Sequence, residues 1–83
     1  MNKRLVQLRA LNPFEGDRRS WIGYIDLKTG HFNGILVRDD VDKSRFRCAT
    51  LDVPMYWWQA RYKVIHRFNK PEVELAKHFV ELL

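Results

Sequence analysis

A lone cysteine, Cys48, leaves this chain without any intramolecular disulfide. What holds 83 residues together must then be burial, and a reducing compartment suits such a chain. Long hydrophobic runs are missing too: no stretch approaches the roughly 18 apolar residues of a membrane span. The opening residues, M-N-K-R-L-V-Q-L-R-A-L, break their short apolar stretch with Gln7 and Arg9, unlike a secretory signal. A soluble, cytoplasmic protein is the expectation.

Catalytic signatures are equally absent. There is no G-x-S-x-G, no Cys-His signature, no glycine-rich phosphate loop and no H-E-x-x-H. Asp39, Asp40 and Asp42 resemble a calcium loop only superficially, because the glycine and the distant bidentate glutamate are missing. A solvated turn is expected there, with no metal and no cofactor. Cys48 and His66 would be the one nucleophile–base pair to consider. The alternation around Cys48 assigns it to a core face, where a thiol is inert, so no enzyme activity is expected.

What is present is enough apolar material for one small core. Hydrophobic residues make up 46% of the chain, with three Trp, three Tyr and five Phe. A single domain spanning residues 1–83 is expected, burying on the order of 60% of its unfolded surface. The net charge of +5 is unevenly spread. Residues 1–20 carry five Lys/Arg against two acids, 21–44 three against four, 45–70 six against one, and 71–83 one against three. The excess therefore sits in the N-terminal arm and around the segment 55–68.

The chain reads in order as follows. Residues 4–11 alternate weakly, with Val6, Leu8 and Ala10 on one side, and Asn12-Pro13 ends this first, edge-type strand. A loop follows that exposes Arg18 and Arg19. Residues 21–27 and 32–38 form two central strands of a hairpin, closed by a turn in which Gly30 takes positive φ. Gly23 and Gly34 inside those strands signal a bulge, strong coiling, or a Trp ring over bare backbone. Residues 45–51 alternate again, with Arg45 and Arg47 outward and Phe46, Cys48 and Thr50 inward.

In the segment 55–68, M-Y-W-W-Q-A-R-Y-K-V-I-H-R-F, even positions are large or apolar and odd positions include Gln59, Arg61, Lys63 and Arg67. This is the period-2 pattern of a strand with one buried face. Trp58, Tyr62, Ile65 and Phe68 also fit a helical stripe, but aromatic and β-branched enrichment favours the strand. A C-terminal helix then begins at Asn69, an N-cap with Glu72 three residues on, Pro71 in the first turn and Phe68 stapling onto Val73. Its apolar face is Val73, Ala76, Phe79, Val80 and Leu83.

The expected fold is thus α+β: a small antiparallel sheet of about five strands, curled toward a barrel, with one C-terminal α-helix packed on one face. That last strand, the Asn69-Lys70-Pro71 start and the helix with Ala76 facing in resemble the corresponding strand and helix of three-stranded-sheet DNA-binding domains, such as integrase arm-binding domains. The resemblance covers about a quarter of the chain, matches no diagnostic motif, and implies architecture alone.

If residues 45–51 pair antiparallel with 58–68, then Arg45, Arg47, Arg61, Lys63 and Arg67 share one outward face with Trp57, Gln59 and Ile65. Together with Arg18 and Arg19 this face suits a nucleic acid, DNA or RNA, through phosphate neutralisation and an aromatic contact. The alternative is a protein-binding inhibitor or adaptor module of phage or plasmid type, docking on an acidic surface of a partner protein.

Overall fold

The computed structural model describes residues 2–12, 17–39 and 45–65. The expected C-terminal helix, Arg67, His66, His78 and residues 40–44 lie outside the described residues. Those described form β1 (Lys3–Ala10), β2 (Arg19–Asp26), β3 (Phe32–Asp39), β4 (Arg47–Val53), a short helix α1 (Met55–Gln59) and β5 (Tyr62–Ile65). The strands make one open antiparallel sheet in the order β4-β3-β2-β1-β5.

The hairpin of β2 and β3 follows its sequence signals. Gly30 adopts φ 75°, which a residue with a Cβ resists. Asp26 tightens the turn by accepting the Lys28 and Thr29 amides at 2.8 and 3.1 Å. The register shifts between Ile22 and Gly23 and again between Gly34 and Leu36. A one-residue slip inverts the faces of a strand, which is why the consecutive Ile35 and Leu36 both join the same apolar cluster with Ile22. A Cβ on Gly34 would lie 2.8 Å from the Trp21 ring, so the indole does lie over bare backbone there.

Three sequence expectations are corrected. β1 is not an edge: it runs between β2 and β5. The segment expected as one strand over 56–68 divides into α1 and β5. Asp52-Val53-Pro54 ends β4, and Pro54 precedes the helix with φ −74°, its missing N–H costing nothing at that position. Trp58 and Tyr62, four residues apart, are the buried side chains, while Tyr56 is 78% exposed; the strand pattern holds only from Tyr62 onward. Finally, β4 and β5 do not pair but occupy opposite edges.

α1 carries the chain between those edges over one face of the sheet. The Trp58 indole donates to the Gly30 carbonyl at 2.6 Å, and Trp58 packs with Val6, Leu8, Trp21, Phe32, Val37 and Tyr62. Fully burying each of these side chains is worth about 1.5–3 kcal/mol. Val53 lies level with Phe32 and Ile25, whereas Tyr62 lies level with Ala10. In a flat sheet those two positions would be about 28 Å apart, four strands across and six residues along. The connection, with five helical residues, reaches about 22 Å. The sheet therefore coils around α1 without closing.

Face assignments on β4 are corrected in part: Phe46 packs against Ile22, Ile35 and Leu36 as an inward residue, and Arg45 and Arg47 are exposed, but the rest of the strand differs. Ala49, Leu51 and Val53 pack toward the core, whereas Cys48 is exposed. From Gly34 to Leu36 β3 advances two residues while β4 advances three, from Leu51 to Cys48, so β4 holds one extra residue there and its simple alternation is broken.

Candidate functional site

Antiparallel pairing brings the end of β1, the start of β2, the end of β3 and the starts of β4 and β5 to one end of the sheet. Cations accumulate there: Arg9 on β1, Arg18 and Arg19 at β2, Arg38 on β3, Arg45 and Arg47 at β4, Arg61 and Lys63 at β5. Against these eight stand two described acids, Asp17 and Asp39. The opposite end carries Lys3, Arg4 and Lys28 against Asp26 and Asp52, so the described charge is strongly polarised along the strands.

Sequence-selected residues thus meet at one end although the strand pairing expected to join them does not exist. Arg45 and Arg47 lie at one edge, and Arg61 and Lys63 at the other, about 19 Å apart if measured across a flat sheet. They do not form one continuous stripe. Lys63 faces away from α1, because its neighbours Tyr62 and Val64 point into the core beneath the helix. Gln59 is exposed as the last helical residue, and Arg18 is exposed just before β2.

On the α1 side, the Arg61 guanidinium carbon sits 4.2 Å from the centroid of the Trp57 ring, and its Nη1 donates to the Trp57 carbonyl at 2.9 Å. Trp57, half-buried, tilts against Tyr62 with centroids 6.2 Å apart. A stacked guanidinium loses little hydration and keeps its remaining N–H groups in a fixed fork. Tyr56 and Leu11 flank this pair in the open, 78% and 51% exposed, and the Leu11 amide donates to the Arg61 carbonyl at 2.9 Å.

Arg19 has a different job. Its Nε and Nη2 donate to the two carboxylate oxygens of Asp17 at 3.0 and 3.1 Å, and its backbone amide adds a third bond at 2.9 Å. The Tyr62 hydroxyl donates to the same carboxylate. Burial alone would raise the Asp17 pKa, but the hydrogen bonds from Arg19 and Tyr62 outweigh it and hold the carboxyl below its ordinary value. Burial, reinforced by Asp17, pushes Tyr62 up to about 12. This clasp ties the start of β2 to β5, and it spends most of the Arg19 charge internally.

Sequence reasoning passed over Arg9, Arg38 and Tyr56. Arg9 was legible as an outward position between Leu8 and Ala10, but only the β1–β5 pairing sets it beside Lys63. Arg38 stacks over Phe46 at 4.7 Å. At the far end, His31 contacts the Asp52 carboxylate through Nε2. Among the described residues no three His, Cys, Asp or Glu side chains converge as a metal site, and no helix is long and apolar enough to cross a membrane. No known protein family, no curated protein and no solved structure matches this chain.

Proposed function

We propose that this protein binds nucleic acid through the cationic end of its sheet. The observation that carries the reading is the charge polarisation: eight Lys/Arg against two acids at one end, drawn from all five strands. A polyanion responds to such a field by counterion release, without any sequence-reading device. Arg18, Arg45, Arg47, Arg61 and Lys63 supply phosphate contacts, Gln59 a polar contact, and Tyr56 beside the Trp57–Arg61 stack an aromatic surface for an unpaired base. Arg19 serves chiefly to hold the site in shape.

The test is a fluorescence anisotropy titration against duplex DNA, single-stranded DNA and RNA at several salt concentrations. Arg47→Gln and Arg18→Gln should each flatten the salt dependence, by a slope of about 0.9 for duplex and 0.7 for single strands for every phosphate no longer neutralised. A wild-type protein without salt-sensitive affinity for any of the three would refute the proposal. The exposed Tyr56 and Leu11 beside Arg61 favour a second reading in that event, an acidic protein surface that takes the aromatic and apolar side chains as anchors.

A further inference from the structure

Arg9 and Lys63 stand directly opposite each other in the β1–β5 pairing. Both alternate with residues that pack on the α1 side, Leu8 and Ala10 in β1, Tyr62 and Val64 in β5. Both side chains therefore rise from the same, opposite face, and both are exposed. Neither makes a hydrogen bond or ion pair with any described residue. Directly opposed side chains have Cβ atoms about 4.5–5.5 Å apart, and like charges at that spacing destabilise a sheet. Three other described cations have a partner, Arg19 in Asp17, Arg61 in the Trp57 ring and carbonyl, and Arg38 in the Phe46 ring, and what sets Arg9 and Lys63 apart is that they stand directly opposite one another.

We infer that Arg9 and Lys63 form a two-cation seat for a single phosphate group. Their stems are long enough for a guanidinium and an ammonium rooted about 5 Å apart to converge on one tetrahedral anion, the guanidinium in a bidentate fork and the ammonium as a point charge. The anion removes the repulsion between the two cations. The seat rests on the nucleic-acid reading for its source of phosphate, a phosphodiester, and would extend that interface around the β5 edge onto the second face of the sheet. Free inorganic phosphate offers the same chemistry.

The experiment uses the full chain, with Lys63→Glu, Arg9→Gln and, as a control at the other end of the sheet, Lys28→Glu. Lys63→Glu creates an opposite-charge pair with Arg9, so its melting temperature should rise at low salt while its affinity for a single-stranded oligonucleotide falls at least tenfold. Arg9→Gln should weaken binding in the same assay, and Lys28→Glu should lower it severalfold less than Lys63→Glu. In a parallel NMR titration of the wild type, both inorganic phosphate and the oligonucleotide should shift the Arg9 Nε–H and Lys63 side-chain signals. If the wild type binds the oligonucleotide but Lys63→Glu and Lys28→Glu weaken it equally, the seat is overturned and the nucleic-acid reading stands. Should the wild type bind no nucleic acid while inorganic phosphate still shifts both signals, the seat stands and that reading falls. Shifts with neither probe would overturn the seat outright.

Discussion

Replacing Tyr62 by Phe isolates the clasp at the cationic end of the sheet. The ring stays, so packing against Trp57 and the core is kept, and only the hydroxyl that donates to Asp17 is removed. A hydrogen bond to a charged acceptor is worth about 1.5–3 kcal/mol. The titration of the same hydroxyl adds a pH dependence: burial first, and the bond to Asp17 second, raise its pKa from 10.0 to about 12 on folding. Because the folded-state value is the higher one, this contribution is complete below pH 10 and disappears as the pH climbs through 12. Asp17 acts in the opposite sense: its depressed pKa stabilises the fold above the ordinary value of 3.8 and is lost as the pH falls through the lowered one. A loss of about 2 kcal/mol should lower the melting temperature by about 8–16 °C at pH 7. Measured by calorimetry, the gap between wild type and Tyr62→Phe should hold from pH 6 to 9 and close between pH 10 and 12. Taking the difference removes every pH effect common to the two proteins. Equal melting temperatures at pH 7, or a gap unchanged at pH 12, would refute the clasp.

Two further outcomes follow from packing and exposure. Gly34→Ala should destabilise the protein by at least about 2–3 kcal/mol, because the new methyl would sit 2.8 Å from the Trp21 ring, 3.0 Å from Phe32 and 3.1 Å from Leu51; a chemical denaturation midpoint equal to wild type would show that Trp21 moves freely. Cys48, exposed on β4, should react fully with a thiol reagent in the native state, with no dependence on denaturant, whereas protection from the reagent would mean that something covers that edge.

The local elements lay open in the sequence wherever backbone chemistry dictates them. Gly30 and Asp26 specify the β2–β3 turn, and Gly23 and Gly34 mark the bulges, because no side chain fits where the strands and the Trp21 ring come together. The segment from Met55 onward was not legible in the same way. Five helical residues make little more than one turn, too short for a period of 3.6 to separate from a period of 2, and Trp58 and Tyr62 satisfy both. Nor was the pairing of β5: consecutive strands are usually neighbours, and nothing local to 45–51 or 62–65 announces that α1 crosses the sheet between them. The candidate site inherited this mixture. Arg18, Arg45, Arg47, Arg61 and Lys63 are exposed, as their sequence positions imply, yet their common end follows from strand direction and not from a shared face, and Arg9 joins them only through the β1–β5 register.

That register also bears on the order of assembly. β1 through β4 form a meander of near neighbours, but Gln7 meets Ile65 across 58 residues of chain. Loop closure makes this the most expensive pairing to establish, and β5 offers only four residues, one of them a lysine facing Arg9, in return. β5 should accordingly dock late in folding and detach first from the native state, in an opening smaller than global unfolding. Amides of 62–65 would then exchange with solvent sooner than those of the β2–β3 hairpin, and Arg61 and Lys63 would join the other cations at their end of the sheet only in the last step of folding.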